Sequence, residues 1–248
     1  MVRVLLLLIA SNLFAQIPVK VVVVAMFERG EDTGDQPGEF QFWVEREHLD
    51  RIFEMPGTYH APRMNDKGVL GTVTGVGTAK AAASIMALGL DRRFDFSKAY
   101  WLIAGIGGGD PQDVSLGSAV WAKHVIDGDL GYEIDAREIP KDWPTGMVPL
   151  RKTVPYEQPL RPELEGEAYT LNPGLVDWAF ALTKDVHLED SEKMQVSRAR
   201  FRGFPNAQRP PFVVEGDTLS ASTFWHGEKH SKGWASSWRY GGFIAGWE

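Results

Sequence analysis

The chain reads as an α/β protein built on a largely parallel sheet, and three observations predict it. Apolar, strand-forming runs stop repeatedly at glycine-containing turns: Val69–Val73 before Gly75-Val76-Gly77, Tyr100–Ala104 before Gly105 to Asp110, and Phe212–Val214 before Glu215-Gly216-Asp217-Thr218. A further run, Val19 to Val24, ends in consecutive valines, which suits a central strand covered on both faces. A segment of small residues from Ala79 to about Leu90 reads as a helix packed between strands. In open α/β sheets ligands collect at the carboxyl ends of the strands, where glycine lets backbone N–H groups approach closely. The expected ligand is polar, and anionic or sugar-bearing.

At 248 residues, with 44% apolar and 24% charged content, the chain suits one large globular α/β domain. A formal charge of -7 provides no clustered positive footprint for nucleic acid or an anionic membrane surface. The absence of cysteine excludes cysteine catalysis and thiolate metal sites.

Taken in chain order, Arg3, the apolar run Val4–Ala10 and the polar break toward Ala15 have the pattern of a secretory signal peptide over residues 1–15. That pattern predicts a mature domain beginning near Gln16 in a periplasmic or secreted location. The run is too short to cross a bilayer as an ordinary helix. The first strand then leads through Ala25–Gly30 into an acidic, glycine-containing loop, Glu31–Gly38, placed to overlie a strand-end site. Phe40, Trp43 and Val44, then Leu49, Ile52 and Phe53, follow with helical spacing. After Val69–Val73, Thr78 is the expected N-cap of the small-residue helix, whose Ala81, Ala82, Ala83 and Ser84 permit close packing on the sheet. A helix start beside glycine is a ready anion site. Lys80 stands where a dinucleotide fingerprint needs its third glycine, and no Gly-Lys-Ser/Thr ending follows, so a nucleotide cofactor is not expected.

The glycines from Gly105 to Gly109 either line a ligand or only allow a tight bend before the next strand, Ala119–Val125. Six prolines over Ile139–Glu163 predict an extended loop, a site cover or a subunit contact. Asn172 caps and Pro173 starts a helix to about Val186, with Leu175, Trp178, Ala179 and Leu182 expected in the core. Arg198, Arg200, Arg202 and Arg209 form either a solvated basic loop or a phosphate-reaching cluster. His226 and His230 lie four apart, but their order departs from the zinc motif His-Glu-x-x-His and Gly227 weakens a helix there, so no metal is expected. His226 reads as a structural, capping or ligand-facing residue; His48, His60, His124 and His187 read as surface or core residues.

The order Val22–Glu28, Thr74–Ala82, Ala104–Asp110 with Leu116–Val120, then Val214–Thr218 resembles the nucleoside phosphorylase and nucleosidase superfamily. From about Val19 to Trp238 the chain is similar to the purine nucleoside permease family, above all in Asp110-Pro111, Asp127-Gly128-Asp129-Leu130 and the string Gly216 to Gly227. The resemblance implies a three-layer αβα fold with a nucleoside phosphorylase-like mixed sheet that binds purine nucleosides. It places Gly75, Gly77 and Thr78 at the first glycine turn, Ile106, Gly107 and Gly108 along base and ribose, and Leu219 and Ser220 near the base. Asp217, Phe224 and His226 complete the implied ligand set. Glu28 falls near the first-strand acid that activates water in nucleosidases.

The superfamily's Met-Glu segment and its later acid would follow Trp238, so residues 16–238 are expected to lack the family's C-terminal part and residues 239–248 to form an atypical tail. The implied function is purine nucleoside binding and uptake, with N-glycosidic cleavage by a phosphorylase or hydrolase as the alternative. No cofactor is implied, phosphate being a co-substrate only in the cleavage reading. A membrane carrier and a second copy of the chain are the further expected partners.

Overall fold

The computed structural model describes residues 15–128, 130–157, 168–224, 229–230 and 244–247. The Val4–Ala10 run, His226 and Trp238 lie outside them. The chain divides into two compact units, Met1–Gly105 and Ile106–Glu248.

In the first unit β1 (Ile17–Pro18) pairs in parallel with β6 (Phe94–Asp95), beside a five-stranded sheet. There β2 (Val21–Ala25) lies between β5 (Val69–Val73) and β7 (Tyr100–Ile103), parallel to both. Antiparallel β4 (Arg63–Met64) and then β3 (Arg51–Ile52) extend the sheet beyond β5. Two clusters explain why the valine run does not alternate. Val22, Val24 and Leu70 pack with Leu88 of α2 (Thr78–Leu90), whereas Ala25 and Val73 pack with Phe40, Leu49 and Val44, the last from α1 (Gln41–Glu47). Each face of this sheet therefore carries a helix, and Val22 and Val23 are both essentially inaccessible to water.

Three local expectations change here. The stripe Leu49, Ile52, Phe53 is not helical: α1 stops at His48, which takes a left-handed φ of 53°, and the chain then turns into β3, leaving Ile52 exposed. Of the small residues in α2, Ser84 is buried while Ala82 and Ala83 face solvent, because Ser84 is the one that bonds the strand end. Thr78 is the first helical residue rather than the cap, which is Gly77 at φ 99°, ψ 145°, a conformation essentially restricted to glycine.

In the second unit β8 (Ala119–Asp127), β12 (Val213–Ser220) and β13 (Ile244–Trp247) are parallel, and β11 (Ala168–Thr170) joins the far edge of β8 antiparallel. Within the proline-rich stretch, β10 (Met147–Pro149) forms an antiparallel pair with β9 (Gly131–Glu133), so the stretch is not wholly irregular. Here α3 runs Pro173–Thr183, and the short α4 runs Glu192–Arg198. Asn172 caps α3 as expected, its side chain accepting from Leu175 N–H at 3.1 Å. The buried position is Val176, while Leu175, Trp178 and Leu182 are exposed, contrary to the core expectation. Glu215-Gly216-Asp217-Thr218 is also not a turn: β12 runs straight through it to Ser220. The edge of β12 away from β8 pairs with β13. Mixed pairing with helices between strands confirms the α/β class.

Candidate functional site

Because β5, β2 and β7 are parallel neighbours, their carboxyl ends lie on one side of the first unit's sheet. Thr74 N–H donates to Ala25 O at 2.9 Å and Ala104 N–H to Val24 O at 2.8 Å, the last rungs before the three chains part. At the exit of β2 stand two glutamates. Buried Glu39 accepts from Met26 N–H at 2.7 Å and Phe27 N–H at 3.3 Å. One oxygen of Glu28 accepts from the N–H groups of Arg29 and Gly38, and the other from those of Phe40 and Gln41. A carboxylate offers about four lone-pair positions, so the Glu28 acceptor set is filled by backbone. Burial pushes its pKa up, but the four N–H donors outweigh burial and hold the carboxyl below its ordinary range. Glu28 thus closes the loop from β2 to α1 on itself.

At the exit of β5, Gly75 and Gly77 both have positive φ, 81° and 99°. Ser84 Oγ donates to Thr74 O at 3.0 Å and accepts from Tyr59 N–H at 3.2 Å, drawing a second segment over the turn. A methyl group on Gly75 would come within 2.9 Å of Lys80 Cδ and 3.0 Å of the Tyr59 ring, so these side chains roof it. Lys80 Nζ lies 5.2 Å from the centroid of Tyr59, which stacks on His60. His60 Nδ1 in turn lies 3.0 Å from Asp32, and Arg63 Nε donates to the same carboxylate at 2.7 Å. The acidic loop predicted to overlie a strand end is therefore fastened by Asp32 to β4 and to the Tyr59-His60 segment. The positive end of α2, a half-exposed aromatic ring and an ammonium group meet beside a glycine turn, a surface able to hold a flat ring and a polar or anionic group.

In the second unit Ile106, Gly107 and Gly108 are exposed, and the latter two are not among the described glycines with positive φ. Asp217 and Leu219 are fully buried on one face of β12, Ser220 is half-buried on the other, and Phe224 is exposed. His124 Nδ1 lies 2.7 Å from Asp217, and Lys123 Nζ 3.0 Å from Glu215. In the basic stretch, buried Arg198 forms a bidentate pair with Asp190 at 2.6 Å, and Arg209 lies over the Phe212 ring. Tyr59 and Arg63 carry no signal in the sequence; His60 and His124 read there as surface or core residues, Lys80 only as a departure from a dinucleotide fingerprint, and Asp32 only as part of the acidic loop. Gly75 with Lys80 and Tyr59 with His60 are close in sequence, but what joins these pairs to one another and to Asp32 is the fold. Among the described residues, no group of three or more His, Asp or Glu side chains could hold a metal ion, and no helix is long and apolar enough to cross a membrane.

Comparison with known proteins bears on the family and the fold. A purine nucleoside permease (NUP) family model matches residues 18–240. A Schizosaccharomyces pombe protein named as a purine nucleoside permease is 36% identical over 162 residues, covering 62% of this chain and 46% of the relative. A Candida albicans purine nucleoside permease is 33% identical over 162 residues, 62% of this chain and 38% of the relative. The chain thus spans less than half the length of these relatives. Among solved structures, the Helicobacter pylori 5'-methylthioadenosine/S-adenosylhomocysteine nucleosidase bound to butyl-thio-DADMe-Immucillin-A aligns with 93% of this chain and 75% of its own, at TM-score 0.51 and 11% identity. Native futalosine hydrolase of the same organism aligns with 94% and 78%, at TM-score 0.50 and 11% identity. At such identity the likeness speaks to the fold, which is that of the nucleosidases. The chain belongs to the purine nucleoside permease family.

Proposed function

We propose that this chain binds purine nucleosides at the carboxyl ends of its parallel strands and serves their uptake. The observation that carries binding over cleavage is the filled acceptor set of Glu28: an acid whose oxygens already take four backbone N–H groups is poorly placed to draw a proton from water. In this reading Tyr59 offers a face to the base, and the Gly75–Gly77 turn with the start of α2 meets the sugar or its substituents. The fold likeness to nucleosidases favours a second reading, N-glycosidic cleavage by water or by phosphate as co-substrate. The apolar run after Arg3 supports export to a periplasmic or secreted location, where bound nucleoside would pass to a membrane carrier.

Titration calorimetry with inosine, adenosine and uridine tests the binding claim. Saturable binding of the two purine nucleosides, weakened at least about tenfold in Gly75→Val by strain at positive φ and collision with the Tyr59 roof, is expected. Equal affinity for uridine would remove the purine reading, and unchanged affinity in the variant would move the site elsewhere. Recovery of the protein from the cytoplasm with Met1 retained would remove the export proposal.

A further inference from the structure

Two loops of the first unit meet at Asp32. The loop from β2 to α1, which carries it, is pinned elsewhere: Gly34 N–H donates to Glu45 at 3.1 Å, and Gln41 Nε2 donates to Asp35 O at 3.3 Å and to Glu45 at 2.8 Å. The loop from β3 to β4 is pinned by Tyr59 N–H on Ser84 Oγ at 3.2 Å and by Thr58 Oγ1, which donates to Met55 O at 2.9 Å. Between them the Asp32 side chain, 12% exposed, has His60 Nδ1 at 3.0 Å from one oxygen and Arg63 Nε at 2.7 Å from the other. An ionised carboxylate only accepts hydrogen bonds, so the nitrogen that faces it, Nδ1, carries the proton. In the neutral imidazole Nε2 is then a bare acceptor. Among the described residues Nε2 has no hydrogen-bond partner, and the His60 side chain keeps 27% of its surface exposed. Arg63 already anchors the loop; what the second contact adds is the orientation of a ring. Stacked on Tyr59 at 5.0 Å and 14°, that ring borders the surface formed by Tyr59, Lys80 and the Gly75 turn.

We propose that His60, oriented by Asp32, accepts a hydrogen bond from a sugar hydroxyl of the bound nucleoside. This rests on the purine nucleoside reading and deepens it. Inosine and adenosine differ in the donors on their base edges, an N–H in one and an amino group in the other, whereas the ribose hydroxyls are donors they share. A fixed acceptor beside the surface that receives the base therefore selects for the sugar. His60→Phe keeps an aromatic ring against Tyr59 and leaves Asp32 its bond to Arg63, so the variant should fold and melt close to the parent. Calorimetric titration of both proteins with inosine and its 2′-deoxy, 3′-deoxy and 5′-deoxy analogues tests the proposal. Inosine is expected to bind His60→Phe at least about fivefold more weakly. At least one analogue should bind the parent about fivefold more weakly than inosine and lose no further affinity on the variant. Nitrogen NMR of the parent at about pH 8, above the ordinary histidine range, should find the His60 proton on Nδ1. Parental inosine affinity in the folded variant, or equal analogue penalties on both proteins, would overturn the proposal while the nucleoside reading stands. The parent alone also decides: if no analogue binds it more weakly than inosine, or if the proton sits on Nε2, the proposal falls. A parent that binds no inosine removes the nucleoside reading itself, and the proposal with it.

Discussion

At the exit of β2 two glutamates share the work of holding the chain: Glu39 takes the N–H groups of Met26 and Phe27, and Glu28 those of Arg29, Gly38, Phe40 and Gln41. Glu28 is the case where residue type was legible but surroundings were not. An acid just beyond the first strand stands out in sequence, yet the donors that occupy it lie up to 13 residues away in a loop with no regular pattern. Its depressed pKa gives a signed expectation. A carboxylate bound more tightly as the anion in the folded state contributes stability fully above its ordinary value of 4.5, and loses it as pH falls through the lower folded value. Glu28→Gln should therefore lower stability by about 1–2 kcal/mol at neutral pH, a figure reduced for partial solvent exposure, with the gap to the parent closing below pH 4.5. Thermal melts across pH 3 to 7, about the range in which carboxyls titrate, would show this. A constant gap would assign the loss to packing.

Among the elements, the valine run was read correctly because burial on both faces removes alternation and leaves only β-branched residues. The Gly216-Asp217 stretch was misread because glycine after an apolar run signals a turn as often as a strand interior. What keeps it in the sheet is its parallel pairing with β8, from Val213 opposite Ala119 to Ser220 opposite Asp127, and a pairing between residues 93 apart has no local signature. Gly71 shows the opposite situation, a glycine inside a strand with a packing reason. A Cβ there would lie 2.5 Å from the Phe40 ring and 2.8 Å from Leu49, so the missing side chain is what lets the segment around α1 seat on β5. Gly71→Ala is expected to cost about 1–3 kcal/mol by overpacking, read as a fall in the denaturant midpoint at unchanged slope. An unchanged midpoint would mean that Phe40 can withdraw freely.

For the whole molecule, family membership and α/β class were legible because they rest on long strings and on strand-ending glycines, whereas the side chains that roof the Gly75 turn come together only through the fold. Whether this chain binds nucleosides or acts on them as an enzyme is decided by the fate of the ligand. The most direct measurement incubates the chain with a molar excess of inosine, with and without phosphate, and follows inosine and hypoxanthine by chromatography. Inosine that is retained by the protein and recovered intact under both conditions is the predicted result. Hypoxanthine accumulating over many turnovers, with ribose in water or ribose 1-phosphate in phosphate buffer, would contradict it and return Glu28 or a neighbour at the strand ends to the role of catalytic acid.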